Sequence, residues 1–265
     1  MMTVETLYFV FACVFSAIFG LCVGSFLNVV IYRLPNKMNL AKPSSHCPTC
    51  KYELRWYDNI PVLSYIILGG KCRSCKTHIS FRYTAVELSC SLLWLLCTLL
   101  FWEQSIPLAC IYMAVCTIFI CVFFIDLEHK IIFDRFQIML LALGVASIFF
   151  DKGCEWYSHL IGGACGFAVF FLISFGFEKI CKREGLGGGD VKLAGVVGLL
   201  LGWERLLLGL LIATIPAAII MLILSRGKEG ESRQFPFAPF LVIGFGTAML
   251  FGDRIIAWYL ALLGL

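Results

Sequence analysis

The sequence predicts an all-α polytopic membrane fold of about eight transmembrane helices, interrupted once by a small polar insertion. Two observations carry this. Of the 265 residues, 60% are hydrophobic and 14% charged, with a mean hydropathy of +0.91, far more apolar than a soluble domain. Apolar stretches near the ~20 residues needed to cross hydrocarbon also recur along the chain, between short charged or Gly/Pro-rich breaks.

The stretches are residues 7–32, 84–102, 107–126, 135–150, 158–177, 190–203, 205–225 and 236–262, of which the fourth and sixth are short. The first reads as a retained span, because residues 1–6 hold no Lys or Arg and the run is too long for a signal peptide. Placing residues 33–83, 127–135, 178–192 and 226–234 in the cytoplasm gathers every Lys and Arg there except Lys152, Arg205 and Arg254. Both termini then lie on the opposite side of the bilayer. A net charge of +4 argues against nucleic acid as a partner.

The chain divides into a first span (1–33), a polar loop domain (34–83) and a helical core (84–265). The loop carries turn-forming pairs at Pro35-Asn36, Pro48-Thr49 and Gly69-Gly70, and so short a domain needs a staple. Loops in the core are short, so its helices pack as antiparallel neighbours. Gly162-Gly163 and the Gly195/Gly198/Gly202 series predict close helix contacts, and Asn28, inside an apolar helix, must bond across to another. His129 and His159 are read as structural. No internal repeat or low-complexity tract is visible.

Most of the fourteen cysteines fall in or beside the apolar segments, as small hydrophobes. Cys47, Cys50, Cys72 and Cys75 instead form two C-x-x-C pairs with a 21-residue spacer in the cytoplasmic loop. That spacing reads as a tetrahedral four-cysteine zinc site, structural because it leaves no open position. A reducing compartment disfavours the alternative of two disulfides. His46 and His78 flank the pairs as substitute ligands or ordinary surface residues.

Asp126 closes the third apolar segment and Asp190 follows Gly187-Gly188-Gly189 at the start of the sixth, both at the cytoplasmic face. Ionisable residues at a membrane edge are paired, wet or functional. Two carboxylates held close share one proton. The ionised one can then activate a water while its partner polarises a carbonyl, the chemistry of an aspartyl protease. The glycines would let the backbone approach an extended peptide and adopt positive φ. Singly, Asp126 could instead pair with Lys130, and Asp190 could be a helix N-cap. Asp58, Glu53, Glu128 and Asp134 are candidates for steering a basic peptide, or else balance local charge. Pro236, Pro239, Phe235, Phe237 and Phe240 open the last helix and are candidates for a substrate groove.

Several of these motifs together resemble the type IV prepilin peptidase family, membrane aspartyl proteases of the GxGD class that includes presenilin. The residues are Gly24-Ser25-Phe26-Leu27-Asn28-Val29 with Tyr32-Arg33-Leu34-Pro35, the two C-x-x-C pairs, Asp126 through Asp134, and Gly187-Gly188-Gly189-Asp190-Val191-Lys192-Leu193. The likeness spans nearly the whole chain. It implies a multi-pass protein of the bacterial inner membrane, with periplasmic termini and a cytoplasmic active site. It implies removal of the basic leader of type IV prepilins or pseudopilins with Asp126 and Asp190 as catalytic residues, supported by Gly187, Gly189, Lys192 and Glu87. It also implies N-methylation of the new terminus from S-adenosylmethionine, tied to Gly70 and Lys71. The family usually has Pro before Asp134, where this chain has Phe133, which puts the local turn in question. A peptidase with a purely structural zinc loop, a proton- or cation-coupled transporter and an inert scaffold remain as alternatives. No Gly-rich βαβ unit for the methyl donor is visible, and oligomeric state is not legible.

Overall fold

The computed structural model describes residues 4–181, 187–225 and 236–264. The remainder of the 178–192 loop (182–186), the 226–234 loop and Phe235 lie outside the described residues. Among the described residues the chain forms nine α-helices and one 3-10 turn. These are α1 (Val4–Arg33), the turn Trp56–Asn59, α2 (Leu63–Ile67), α3 (Arg82–Phe101), α4 (Ile106–His129), α5 (Asp134–Phe150), α6 (Trp156–Cys181), α7 (Gly188–Leu201), α8 (Trp203–Ser225) and α9 (Ala238–Leu262). Apart from the short α2, the helices correspond one for one to the eight apolar segments.

Six of them, α1, α3, α4, α6, α8 and α9, are long and apolar enough to cross a membrane. The chain is a multi-pass membrane protein. With 17 and 14 residues, α5 and α7 reach only about 26 and 21 Å at 1.5 Å per residue, short of the ~30 Å hydrocarbon core. Large apolar side chains face outward along the spans, including stacked rings at Phe11, Phe15 and Phe19 on α1 and Phe167, Phe171 and Phe175 on α6. An aqueous surface would not carry them.

Two compact units are present, Met1–Gln104 and Ser105–Leu265. In the first, α1 packs along α3 with the polar insertion between them in sequence. Asn28 bonds across as expected, donating from Nδ2 to the Tyr83 carbonyl oxygen at 3.0 Å.

In the second unit α4 packs on α5 and α9, while α7 packs on α5, α6, α8 and α9. Helices α5 and α9 therefore bridge α4 and α7. The α6–α7 contact is backbone on backbone at Gly162 and Gly198, where a Cβ on either would run into the other's carbonyl oxygen. His159 is structural here, its Nδ1 lying 3.0 Å from the Leu199 carbonyl oxygen.

Candidate active site

Helix α4 opens on Ser105, whose hydroxyl accepts the Leu108 N–H, followed by a proline in the first turn. It ends where Lys130 turns left-handed at φ 56° and returns its N–H to the Asp126 carbonyl oxygen at 2.9 Å. Asp126 thus sits in the last turn of α4, 6% exposed. Its carboxylate accepts the N–H of Ala238, the first residue of α9, and its Oδ2 has no partner among the described residues. No ion pair joins it to Lys130 among the described residues. The Phe237-Ala238-Pro239 opening of α9 is a helix start, and it meets the candidate aspartate.

Asp190 lies on the third residue of α7, half-buried, with its N–H bonded to the Gly187 carbonyl oxygen at 2.9 Å. The N-cap of α7 is Gly187, so Asp190 is not a plain cap. The Asp190 carboxyl lies within electrostatic reach of the Asp126 carboxylate. The expected positive φ in the glycine run is corrected. Gly187 has φ −61° and ψ 136°, and Gly188 and Gly189 are already helical, because the run is consumed in starting α7. The space a Cβ of Gly188 would take is open.

The start of α7 is clamped by α5. Gln137, 5% exposed, donates from Nε2 to the Gly189 carbonyl oxygen at 2.8 Å, and Lys192 Nζ stands 2.7 Å from Asp134 Oδ1. Sequence reasoning passed over Gln137, although a lone amide in an apolar helix was the signal already used for Asn28. The turn before Asp134 survives the loss of proline, since Phe133 adopts φ −75°, close to the value a proline ring imposes. Asp134 balances Lys192 and is not a free steering acid. Asp58 follows the charge-balancing reading as well: it is buried against Arg73 at 2.6 Å. Glu53 and Glu128 are exposed.

In the first unit the Sγ atoms of Cys47, Cys50, Cys72 and Cys75 all lie within 4.8 Å of one another, with Cys47–Cys75 at 3.8 Å and Cys50–Cys72 at 3.9 Å. Sulfurs at about 2.3 Å from one tetrahedral zinc stand about 3.8 Å apart, so the set fits the ion. The two knuckles are built alike. Lys51 and Lys76, one residue after each pair, turn left-handed at φ 60° and 61° and donate to the Cys47 and Cys72 carbonyl oxygens. The Thr77 hydroxyl and N–H pull the Cys75 thiol down while the neighbouring thiols push Cys50 up, so the four share their protons, and a metal would have to take all four as thiolates. His46 Nδ1 lies against the Ser44 carbonyl oxygen, and His78 pairs with Lys71 in a β-bridge; the cluster is cysteines alone.

Gly70 is buried at φ +67°, with the Tyr65 hydroxyl 2.9 Å from where a Cβ would stand, while Lys71 is exposed beside it. Glu87 is buried on α3 and accepts the Val62 N–H at 2.8 Å and the Ser25 hydroxyl.

The sequence has counterparts among known proteins. Residues 18–101 match the bacterial peptidase A24 N-terminal domain, and residues 113–222 match the type IV leader peptidase family. The prepilin leader peptidase/N-methyltransferase of Pseudomonas aeruginosa is 34% identical over 94% of this chain and 93% of its own. Its counterpart in Stutzerimonas stutzeri is 33% identical over 92% of each chain. The protein of the same name from Myxococcus xanthus is 38% identical over 83% of this chain and 66% of its own. No solved structure matches the chain. Extended similarity over both units, with the paired aspartates and the four-cysteine cluster in place, makes this chain a member of the type IV leader peptidase family.

Proposed function

We propose that this protein removes the leader peptide of type IV prepilins or pseudopilins with Asp126 and Asp190, then N-methylates the new terminal residue. The observation that carries the reading is the pairing of two carboxylates from α4 and α7, one of them with an oxygen free of any described partner. Asp126 stands in the last turn of α4 and Asp190 in the first turn of α7, which favours a membrane-edge site over a mid-bilayer ion relay. With one carboxylate ionised and the other protonated, the ionised group takes a proton from water as that water attacks the scissile carbonyl carbon. The protonated group donates to the carbonyl oxygen, and the departing amine leaves with a proton from the pair. Gln137 and the Asp134–Lys192 pair hold α7 so that Asp190 keeps its position. The open side of Gly188 leaves room for a peptide backbone.

Cys47, Cys50, Cys72 and Cys75 would hold a zinc ion whose filled coordination shell supplies folding energy to the insertion. S-adenosylmethionine, when bound, supplies an electrophilic methyl group. The lysine and arginine distribution supports an inner-membrane protein whose aspartates and cysteine loop serve the cytoplasmic side.

The test is co-expression of a leader-bearing prepilin with the native chain, Asp126→Asn or Asp190→Asn, reading substrate mass and N-terminal residue. Native protein should remove the leader and add the mass of one methylene, and each variant should leave full-length substrate. Normal cleavage by either variant would overturn the two-carboxylate mechanism.

A further inference from the structure

Helix α2 turns its apolar side outward from the polar insertion. Leu63, Ile66 and Ile67 are between 52% and 70% exposed, and their i, i+3, i+4 spacing puts them on one helical face. Phe81 extends the patch. It is exposed at the N-cap of α3, and its ring meets that of Tyr65 on α2 edge-on, with centroids 6.3 Å apart. Large apolar side chains grouped in this way mark a surface that is covered.

Hydrogen bonds fix the level of this face. Val62, the N-cap of α2, donates its N–H to Glu87 Oε2 at 2.8 Å, and the same carboxylate accepts the Ser25 hydroxyl of α1. Glu87 lies about 7.5 Å from the start of α3 at 1.5 Å per residue. With 20 residues, α3 is about 30 Å long, no longer than the hydrocarbon it crosses. Its first two turns therefore stand at the hydrocarbon boundary, and α2, bonded to the second of them, is held at the same level.

Charge says what covers the face. Residues 34–81 carry seven Lys and Arg against two acids, an excess larger than the net negative charge of a zinc-tetrathiolate centre. The five lysines among them are exposed. Lys71 stands just past the C-cap of α2, its N–H bonded to the Leu68 carbonyl oxygen. An apolar helical face beside basic side chains is the pattern of a helix lying in the headgroup layer of an anionic membrane. We propose that Leu63, Ile66 and Ile67 seat α2 in the interfacial layer of the bilayer that α1 and α3 cross, with the insertion's lysines on anionic phospholipid headgroups. The zinc-stapled insertion is thereby held against the leaflet instead of swinging from its two helices.

The test uses purified full-length protein in bilayer nanodiscs, carrying a photoactivatable benzophenone side chain in place of Ile67. In phosphatidylcholine mixed with phosphatidylglycerol, irradiation should give phospholipid adducts on the peptide that contains position 67, with zinc content unchanged. In phosphatidylcholine alone, or at high salt, the yield should fall several-fold as the headgroup attraction is removed or screened. Ile66→Asp in the same labelled chain should also lower the yield several-fold, because a carboxylate on this face resists burial in lipid. Cross-links from position 67 to residues 105–265 or to a second copy, or no adduct at all, would overturn the proposal and assign the face to the helical core, to a dimer or to water. Equal yields in neutral and anionic bilayers would overturn the role given to the lysines.

Discussion

Gln137 donates from Nε2 to the Gly189 carbonyl oxygen at 2.8 Å, which ties the first turn of α5 to the residue immediately before Asp190. Beside it Lys192 pairs with Asp134, but those side chains are 53% and 71% exposed. The two contacts are unequal. A solvated ion pair contributes about 0–1 kcal/mol, whereas a bond from the buried Gln137 amide to the half-buried Gly189 carbonyl contributes about 0.5–1.5 kcal/mol and fixes the backbone beside Asp190. Small displacements of a catalytic group can cost on the order of 100-fold in rate. Gln137→Leu should therefore lower kcat for prepilin cleavage by roughly 10- to 100-fold with KM little changed. Lys192→Met should lower it only a few-fold. Steady-state kinetics on a synthetic leader peptide separate the two, and equal small losses would show that Gln137 does not position Asp190.

The four-cysteine cluster predicts a different split. Structural zinc contributes on the order of 10–16 kcal/mol to small domains, more than the core of a ~50-residue insertion supplies alone. Cys72→Ser, or prolonged chelation, should strip about one zinc per chain and unfold the insertion. Both aspartates belong to the second compact unit, so methyl transfer should be lost at chelator exposures where most leader cleavage survives. Metal analysis alongside both activities checks this. Parallel loss of the two would mean that cleavage also needs the folded insertion.

Hydropathy made the eight long helices legible, since burial in lipid demands apolar runs whatever the tertiary contacts. The aspartates and cysteines were legible because their chemistry needs particular residue types. The conformation of Gly187–Gly189 was not: glycine allows both signs of φ, and only the docking of α7 on α5 selects the helical one. Gln137 carried a signal in its own sequence, an amide within an apolar run, but its partner lies 52 positions away. The level of α2 was invisible because it depends on Glu87 reaching the Val62 N–H, 25 positions away.

Arg205 shows the same long-range pairing at the other end of α4 and gives the clearest stability prediction. Sequence reading left it as one of three basic residues outside the cytoplasmic loops. It is buried, with its side chain 7% exposed against an Asp151 side chain at 3%. It also reaches Asp253 with Nε at 2.6 Å and Nη2 at 2.8 Å, a bidentate pair. Tyr112 Oη donates to Asp151 Oδ2 at 3.3 Å, which brings α4, α8, α9 and the end of α5 into one cluster. Tyr112 and Asp126 are about 21 Å apart along α4 at 1.5 Å per residue, so the cluster is remote from the catalytic pair. Arg205→Met leaves Asp151 buried without its cation and should cost about 3–5 kcal/mol. Asp253→Asn removes an acid whose side chain is 65% exposed and should cost about 1 kcal/mol or less. Thermal unfolding in detergent should rank the variants in that order, with cleavage per folded molecule unchanged in both. A fall in specific activity of the folded Arg205→Met protein would instead mean that the cluster governs the position of Asp126 through α4.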